Sequence, residues 1–161
     1  MARCRKQKAV AACAPRRLSS RHLKLSVKSD YATRAVLSLS RHYSHGGVVR
    51  VELLAREHSI PPAYLVQVLI LLKAQGIVRS QRGKVGGYSL AMAPDKITFG
   101  DVVRAVEGAI VEGPSADTGN HPPELRAAWT RLREAVDAAA DSLTFQQLID
   151  QGPDKEKMYY I

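Results

Sequence analysis

The chain has little of what several classes of protein require. Its 161 residues include two cysteines, Cys4 and Cys13, which are too few for a disulfide framework or a four-cysteine metal site. No run approaches the ~20 consecutive apolar residues of a membrane-spanning helix. Residues 1–22 also lack the apolar stretch of at least ~7 residues that a secretory signal contains. These absences exclude disulfide-rich and membrane-spanning classes, and we expect a protein of the cytoplasm.

Acidic side chains are scarce in the first half of the chain. Residues 1–22 contain seven Lys or Arg and no acid, residues 23–88 contain ten against three acids, and residues 89–161 contain seven against twelve. The resulting charges of +7, +7 and −5 make up the overall +9. A basic half joined to an acidic half indicates that one half binds a polyanion while the other has a different task. We interpret residues 1–22 as a disordered basic extension that adds non-specific affinity for DNA.

Apolar periodicity predicts a first helix over about 30–43, capped by Ser29 or Asp30 and ended by Gly46-Gly47. Its apolar side chains fall on one helical stripe, which consists of Tyr31, Ala32, Ala35, Val36 and Leu39. Such a stripe is typical of a helix that packs on a core.

Two further helices are predicted on either side of a proline turn. The first covers 51–58, with Leu53 and Leu54 facing inward. After the turn at residues 59–62, the second runs over 62–75 and stops at Gly76, which we expect in the left-handed conformation. Helix, turn and helix over about 51–74 indicate a helix-turn-helix.

A glycine-rich hairpin follows. We predict strands over 77–80 and 88–90, joined through the segment RGKVGG. The hairpin completes a winged helix-turn-helix over 23–91, with the wing at 82–88, in a fold that is mainly α. The 62–75 helix would enter the major groove of DNA, the glycines would let the wing approach the duplex, and Arg82 and Lys84 would reach phosphates or a narrow minor groove. Taken alone, the hairpin is equally compatible with an ordinary surface turn.

The acidic half, residues 92–150, is predicted to be a linker followed by helices. A helix over about 99–108 places Val102, Val103 and Val106 under the winged domain, and residues 109–123 form a flexible connection. Apolar residues then recur at spacings of four and three, as in a coiled coil: Leu125, Trp129, Leu132, Val136, Ala139 and Leu143. We expect this long helix to dimerise, the alternative being that it packs within its own chain. A short last helix is expected to end near Asp150.

The segments SVKSDYATRAVLSLSRHY and IPPAYLVQVLILLKAQGIVRSQRGKVGGYSLA resemble the Rrf2 family of bacterial transcriptional regulators. The resemblance implies a dimeric repressor whose recognition helix and wing contact DNA through Ala63, Tyr64, Val66, Gln67, Arg82, Gly83 and Lys84. Gln67 can pair with an adenine edge, whereas Val66 replaces an acid that some members use to select bases. The resemblance also implies a long dimer helix at Leu125, Trp129, Leu132, Val136 and Leu143.

Members of this family that carry an iron–sulphur cluster have three cysteines between the two helices of the acidic half. Residues 109–128 contain none here, and Arg126 stands where the cluster-assembly regulator has a histidine ligand. We therefore expect no cluster and no other cofactor. His42, His45 and His121 leave open a regulator that senses a metal or a small molecule directly. None of the five histidines belongs to a catalytic pattern, so we do not expect an enzyme.

The tail, residues 151–161, ends in the apolar group Met158, Tyr159, Tyr160 and Ile161. Such residues either fold back on the protein or dock on a partner. The motif EGAIVEGP at 107–114 and the ending MYYI are similar to the cysteine-metabolism repressors of the family. That resemblance implies a complex with cysteine synthase, O-acetylserine (thiol)-lyase, in which O-acetylserine competes with the tail. A further alternative is a nucleic-acid-binding interaction protein without a regulatory role.

Overall fold

The computed structural model describes residues 26–45, 47–83, 86–111 and 122–152. As predicted, the fold is mainly helical with one two-stranded antiparallel hairpin in the described part. In chain order the elements are α1 Val27–Arg41, α2 Val51–His58, α3 Pro62–Ala74, β1 Val78–Gln81, β2 Gly87–Leu90, α4 Phe99–Glu107, α5 Pro123–Asp141 and α6 Phe145–Asp150. Short 3₁₀ turns lie at Tyr43–His45 and Pro94–Lys96. Within these ranges no helix is long and apolar enough to cross a membrane.

Helix α1 begins one turn earlier than predicted and also ends earlier. The side chain of Ser26 accepts a hydrogen bond from the Ser29 backbone N–H at 3.3 Å, which makes Ser26 the N-cap. The expectation of a cap at Ser29 or Asp30 was therefore wrong, because Ser29 is buried inside the helix instead. At the other end, His42 is the C-cap and the chain continues as a 3₁₀ turn before Gly47.

The helix-turn-helix has the predicted limits to within one residue. Ser59 takes the left-handed conformation at φ 53°, and the Ile60 N–H donates to the Ala55 carbonyl at 2.9 Å, which closes the end of α2. Helix α3 ends at Ala74, and Gly76 has the expected positive φ of 72°. Leu54 is buried, but Leu53 was wrongly expected to face inward: neighbouring positions on a helix point ~100° apart, and only one of the two meets the core.

The hydrophobic core is continuous from the winged region into the acidic half. Apolar side chains of α1 and α3 share it with Val102 and Val106 of α4 and with Phe145 of α6, which is fully buried. Helix α1 packs against α3, α4 and α6. The predicted burial of Val102, Val103 and Val106 is confirmed.

The hairpin and α5 differ slightly from their predicted limits. Strand β1 pairs with β2 from Val78 opposite Leu90 to Gln81 opposite Gly87, so β1 is shifted by one residue and β2 begins one residue earlier than predicted. Helix α5 ends at Asp141 with Ser142 as its C-cap. Leu143 therefore lies beyond the helix that was expected to carry it, because the chain turns there into the capping box that starts α6 at Thr144.

Candidate nucleic-acid interface

Helix α3 has one buried side and one exposed side. Its inner side is buried completely and consists of Leu65, Val68, Leu69 and Leu72. The opposite side is exposed, with residues at helical spacings of four, three and four: Ala63, Gln67, Ile70 and Ala74. We call these four residues the α3 outer face. Two residues predicted to contact DNA, Ala63 and Gln67, lie on it.

Two other predicted contact residues, Tyr64 and Val66, flank the outer face. The Tyr64 ring packs edge-on against the Tyr31 ring of α1, with centroids 5.5 Å apart and planes at 84°. This aromatic contact holds the first turn of α3 against α1. Val66 is half-buried, so it borders the outer face without lying at its centre. Gln67 is the outer-face side chain that can pair with a base edge through two hydrogen bonds.

The tip of the hairpin carries Arg82 and Gly83, both exposed. Gly83 has a φ of 113°, which favours glycine, and nothing lies within 4 Å of the position where a Cβ would stand. The side chain of Arg79 on β1 lies across the hairpin, because its Nε donates to the Ser89 hydroxyl of β2 at 3.0 Å. Lys84, the other basic residue predicted at the tip, lies outside the described residues.

The glycines at the end of the RGKVGG segment have a packing role that the sequence did not indicate. A Cβ on Gly87 would stand 2.3 Å from the Val49 carbonyl oxygen, and one on Gly86 would stand 2.7 Å from the Gln81 carbonyl oxygen. Next to Gly87, Val49 and Tyr88 exchange two backbone hydrogen bonds of 2.8 and 2.9 Å. The missing Cβ of Gly87 thus lets the wing attach to the segment before α2, whereas that of Gly86 leaves room for the turn of the hairpin itself.

A groove between α2 and the wing adds basic residues that sequence reasoning did not single out. Its volume is about 610 Å³, and its lining consists of Arg50, Glu52, Leu53, Arg56, Gly83 and Gly86. Arginines beside a wing are suited to phosphate contacts, which position a protein on a duplex without selecting bases. Arg50 is the N-cap residue of α2 and Arg56 lies in its last turn, and no local signal in the sequence shows that the wing comes to lie beside them.

Glu107 joins the start of α1 to the end of α4. Its carboxylate accepts hydrogen bonds from the hydroxyls of Ser26 and Ser29, the latter at 2.6 Å, and Lys28 Nζ donates to the Val106 carbonyl at 2.7 Å. The two serine hydroxyls and the nearby Lys28 charge lower the pKa of Glu107. These bonds stabilise the packing of the winged region on the acidic half.

Arg104 joins α4 to α5. Its guanidinium contacts the carboxylates of Asp141 at 2.5 Å, Asp101 at 3.2 Å and Asp137 at 3.6 Å. The hydrogen bond to Asp141 is the main cause that raises the pKa of Arg104. Burial acts to raise the pKa of Asp101, but the hydrogen bonds from Thr98 and Arg104 outweigh it and lower this pKa. These ion pairs connect the C-terminal half of α5 to α4.

The histidines weighed as possible ligands do not form a visible site. The His42 Nδ1–H donates to the Ser38 carbonyl at 2.9 Å, and the His45 side chain and His121 lie outside what the structure describes. The described ranges contain no cysteine and no group of three His, Cys, Asp or Glu side chains that could hold a metal ion. Cys4, Cys13 and the tail residues Met158–Ile161 lie outside these ranges as well.

The apolar stripe of α5 is exposed in the single chain. Leu125 is 50% exposed, Trp129 40% and Leu132 47%, while Val136 is half-buried. No residue of α5 is buried, and its contacts are made mainly with α4 through the side that carries Asp137 and Asp141. The stripe is therefore not covered by other residues within the described part of the chain.

Comparison with known proteins places this geometry among transcriptional regulators. Residues 25–151 match the family model "Rrf2: Iron-dependent Transcriptional regulator". The chain is 33% identical over 141 residues to the HTH-type transcriptional regulator CymR of Bacillus subtilis, covering 86% of this chain and all of that protein. It is 30% identical to the regulator IscR of Erwinia tasmaniensis, covering 80% of this chain and 79% of IscR.

Solved structures show the same architecture. The structure of CymR, described as the global cysteine regulator of B. subtilis, superposes with a TM-score of 0.71 at 32% identity, covering 81% of this chain and 99% of that one. IscR of T. potens superposes with a TM-score of 0.67 at 26% identity, covering 85% of this chain and 96% of that one. The winged arrangement of α2, α3 and the hairpin is thus shared with regulators of this type.

Proposed function

The chain belongs to the Rrf2 family of helix-turn-helix transcriptional regulators, and from this premise we propose that it is a homodimeric repressor of cysteine-metabolism genes that works without an iron–sulphur cluster. The observation that carries the proposal is the likeness to CymR along that regulator's whole length, in a chain whose only cysteines are Cys4 and Cys13. The relative's title as a global cysteine regulator supports the choice of genes.

The residues do not fit the iron centre that the family description suggests. Iron–sulphur clusters are held by cysteine thiolates, and the acidic half has no cysteine from residue 92 to residue 152. The described residues also offer no other group of three ligating side chains. The signal must then reach the DNA-binding face by another route.

Dimerisation through α5 is the arrangement that the exposed stripe supports. Leu125, Trp129 and Leu132 are each at least two-fifths exposed on one side of a 19-residue helix. A second α5 would cover these side chains, and a two-fold pair would bring two α3 helices to half-sites about 10 base pairs apart. Sedimentation of the purified protein tests this directly.

For the signal, we propose that Met158–Ile161 bind cysteine synthase, so that the enzyme reports the state of the pathway to the repressor. The test titrates the synthase of the same organism with the intact protein and with a version that ends at Lys157. We expect only the intact protein to bind and O-acetylserine to displace it. Equal binding by both versions would place the contact elsewhere, and no binding by either would remove the enzyme from the proposal while leaving DNA repression to be tested separately.

One feature favours a second candidate, direct sensing of a small molecule. A groove of about 550 Å³ lies between the end of α3 and α4, lined by apolar Ile77, Met92 and Ile97 and by Arg104. This volume is within the usual range for small ligands. Calorimetric titration of the protein alone with O-acetylserine separates the two candidates, because the partner mechanism expects no heat without the synthase.

A further inference from the structure

The α3 outer face is unusually apolar for a surface that meets DNA. Ile70 lies near its centre and is 55% exposed, directly opposite the buried side of the helix. Ala63 and Ala74 lie at its two ends, and Gln67 is its only polar member. The sequence did not single out Ile70, because α3 is apolar on nearly every side and periodicity alone could not tell its inner residues from its outer ones.

The position of Ile70 matches the reach of a recognition helix. A helix that lies along the major groove presents residues at relative positions 0, 3, 4 and 7 to the bases. Counted from Ala63, these positions are Val66, Gln67 and Ile70. From Gln67 to Ile70 the helix rises ~4.5 Å, which is a little more than the ~3.4 Å between base pairs.

The chemistry around Ile70 narrows what it can contact. Lys73 is the nearest basic residue along the helix, and its Nζ donates to the Ser80 hydroxyl on β1 at 2.7 Å, which draws its ammonium group toward the hairpin. An aliphatic side chain gains nothing from the hydrogen-bonding edges of the bases. The major groove offers it one apolar group, the C5-methyl of thymine.

We propose that Ile70 contacts a thymine methyl group one or two base pairs from the base pair that Gln67 contacts. The inference rests on the proposed function, since it requires that α3 enter the major groove. It assigns two neighbouring specificity determinants to each half-site, an adenine edge for Gln67 and a thymine methyl for Ile70. The preferred half-site is accordingly rich in A·T pairs where α3 lies.

The test removes the methyl group from the DNA and the side chain from the protein separately. The intact protein first selects its preferred duplex from a random-sequence library, and each thymine of a half-site is then replaced singly by deoxyuridine. We expect one replacement to weaken binding by about fourfold, the value for one buried methyl group. The Ile70→Ala variant should bind the thymine and uracil duplexes equally.

A matched control is Val27→Ala, which shortens another β-branched side chain of similar exposure, 59%, in the first turn of α1. This variant should keep the full difference between thymine and uracil. Both variants remove exposed side chains, and equal unfolding midpoints in urea verify that each is folded.

The outcomes separate the inference from its premise. If the same uracil replacement weakens the native protein and Ile70→Ala equally, or if no replacement matters, the assignment of Ile70 is overturned while DNA binding stands. If Ile70→Ala weakens all duplexes by one common factor, the side chain has a non-specific role and the assignment is again overturned. If the library yields no preferred duplex, the proposed function itself fails and the inference with it.

Discussion

Replacing Gly87 by alanine should loosen the wing from the body of the domain. The new Cβ would stand 2.3 Å from the carbonyl oxygen of Val49 and 2.7 Å from its carbonyl carbon. Both atoms belong to the backbone, so no side-chain rotation can relieve the overlap. Gly87 does not have the positive φ that favours glycine, so the space it leaves is what matters. Strand β2 must therefore move away locally from the segment that contains Val49.

The backbone hydrogen bonds next to Gly87 determine how much stability the variant loses. Val49 and Tyr88 exchange two backbone bonds, of 2.8 and 2.9 Å, beside Gly87. Losing two such bonds costs about 2 kcal/mol, since each contributes ~1 kcal/mol net. Alanine recovers ~0.4–1 kcal/mol by restricting the unfolded chain. We expect Gly87→Ala to lower the free energy of unfolding by about 1–2 kcal/mol.

Urea denaturation at a fixed protein concentration measures this loss, with Gly100→Ala as the control. A Cβ on Gly100 would also be crowded, at 2.2 Å from Asp141 Oδ1, but it would meet the ends of the Asp141 and Arg104 side chains, which can turn aside. The free energy of unfolding of Gly100→Ala should change by less than about 1 kcal/mol, because the exposed ion pair between Asp141 and Arg104 contributes little. Equal loss in the two variants would refute the reasoning, as would a stable Gly87→Ala protein with unchanged DNA affinity.

Three further predictions concern the dimer, the pH response and the wing. Leu132→Asp should weaken the dimer by about 1,000-fold, as measured by sedimentation, because each of the two copies loses ~2 kcal/mol of apolar burial. Ala127→Asp, on the other side of α5, should leave the dimer unchanged. An unchanged dimer in Leu132→Asp would exclude this stripe as the dimer interface. Because folding lowers the pKa of Glu107, the ionised Glu107 stabilises the fold fully above its unfolded-state pKa of ~4.3, and this stabilisation is lost as the pH falls through the folded-state pKa. Glu107→Gln should therefore flatten the dependence of the free energy of unfolding on pH in this range. A slope identical to that of the native protein would contradict this prediction. Arg82→Ala should weaken DNA binding by about 1–3 kcal/mol if the side chain contacts a base edge; unchanged affinity at moderate salt would exclude the wing tip.

The ends of a helix could be predicted wherever a proline or a glycine beside it starts or stops the helix locally. Pro62 and Gly76 enclose α3 because proline suits a first turn and glycine suits the left-handed position after a helix, and neither depends on distant residues. The start of α1 could not be predicted in this way. Ser26 and Ser29 are both good caps, but tertiary packing buries Ser29 inside α1, where its hydroxyl donates to Glu107, 78 residues away in the chain.

The candidate interface likewise has residues that could be predicted from a local pattern and residues that could not. Arg82 and Gly83 were recognisable because the glycine-rich hairpin is a local pattern. The groove with Arg50 and Arg56 was not, because it exists only where the wing attaches beside α2 through Val49. Contacts of this kind join segments more than 30 residues apart, and no local pattern records them.

The sequence by itself determined the order of the helices, the hairpin and the division of charge, since these follow from periodicity, turn residues and composition. The tertiary structure decided which side of α3 is exposed, because a helix that is apolar all round has no preferred inner face until α1 and α4 cover one. It also decided that Gly87 must remain without a side chain and that the α5 stripe stays exposed in the single chain. Burial and close approach depend on distant segments meeting, which is why only the folded chain reveals them.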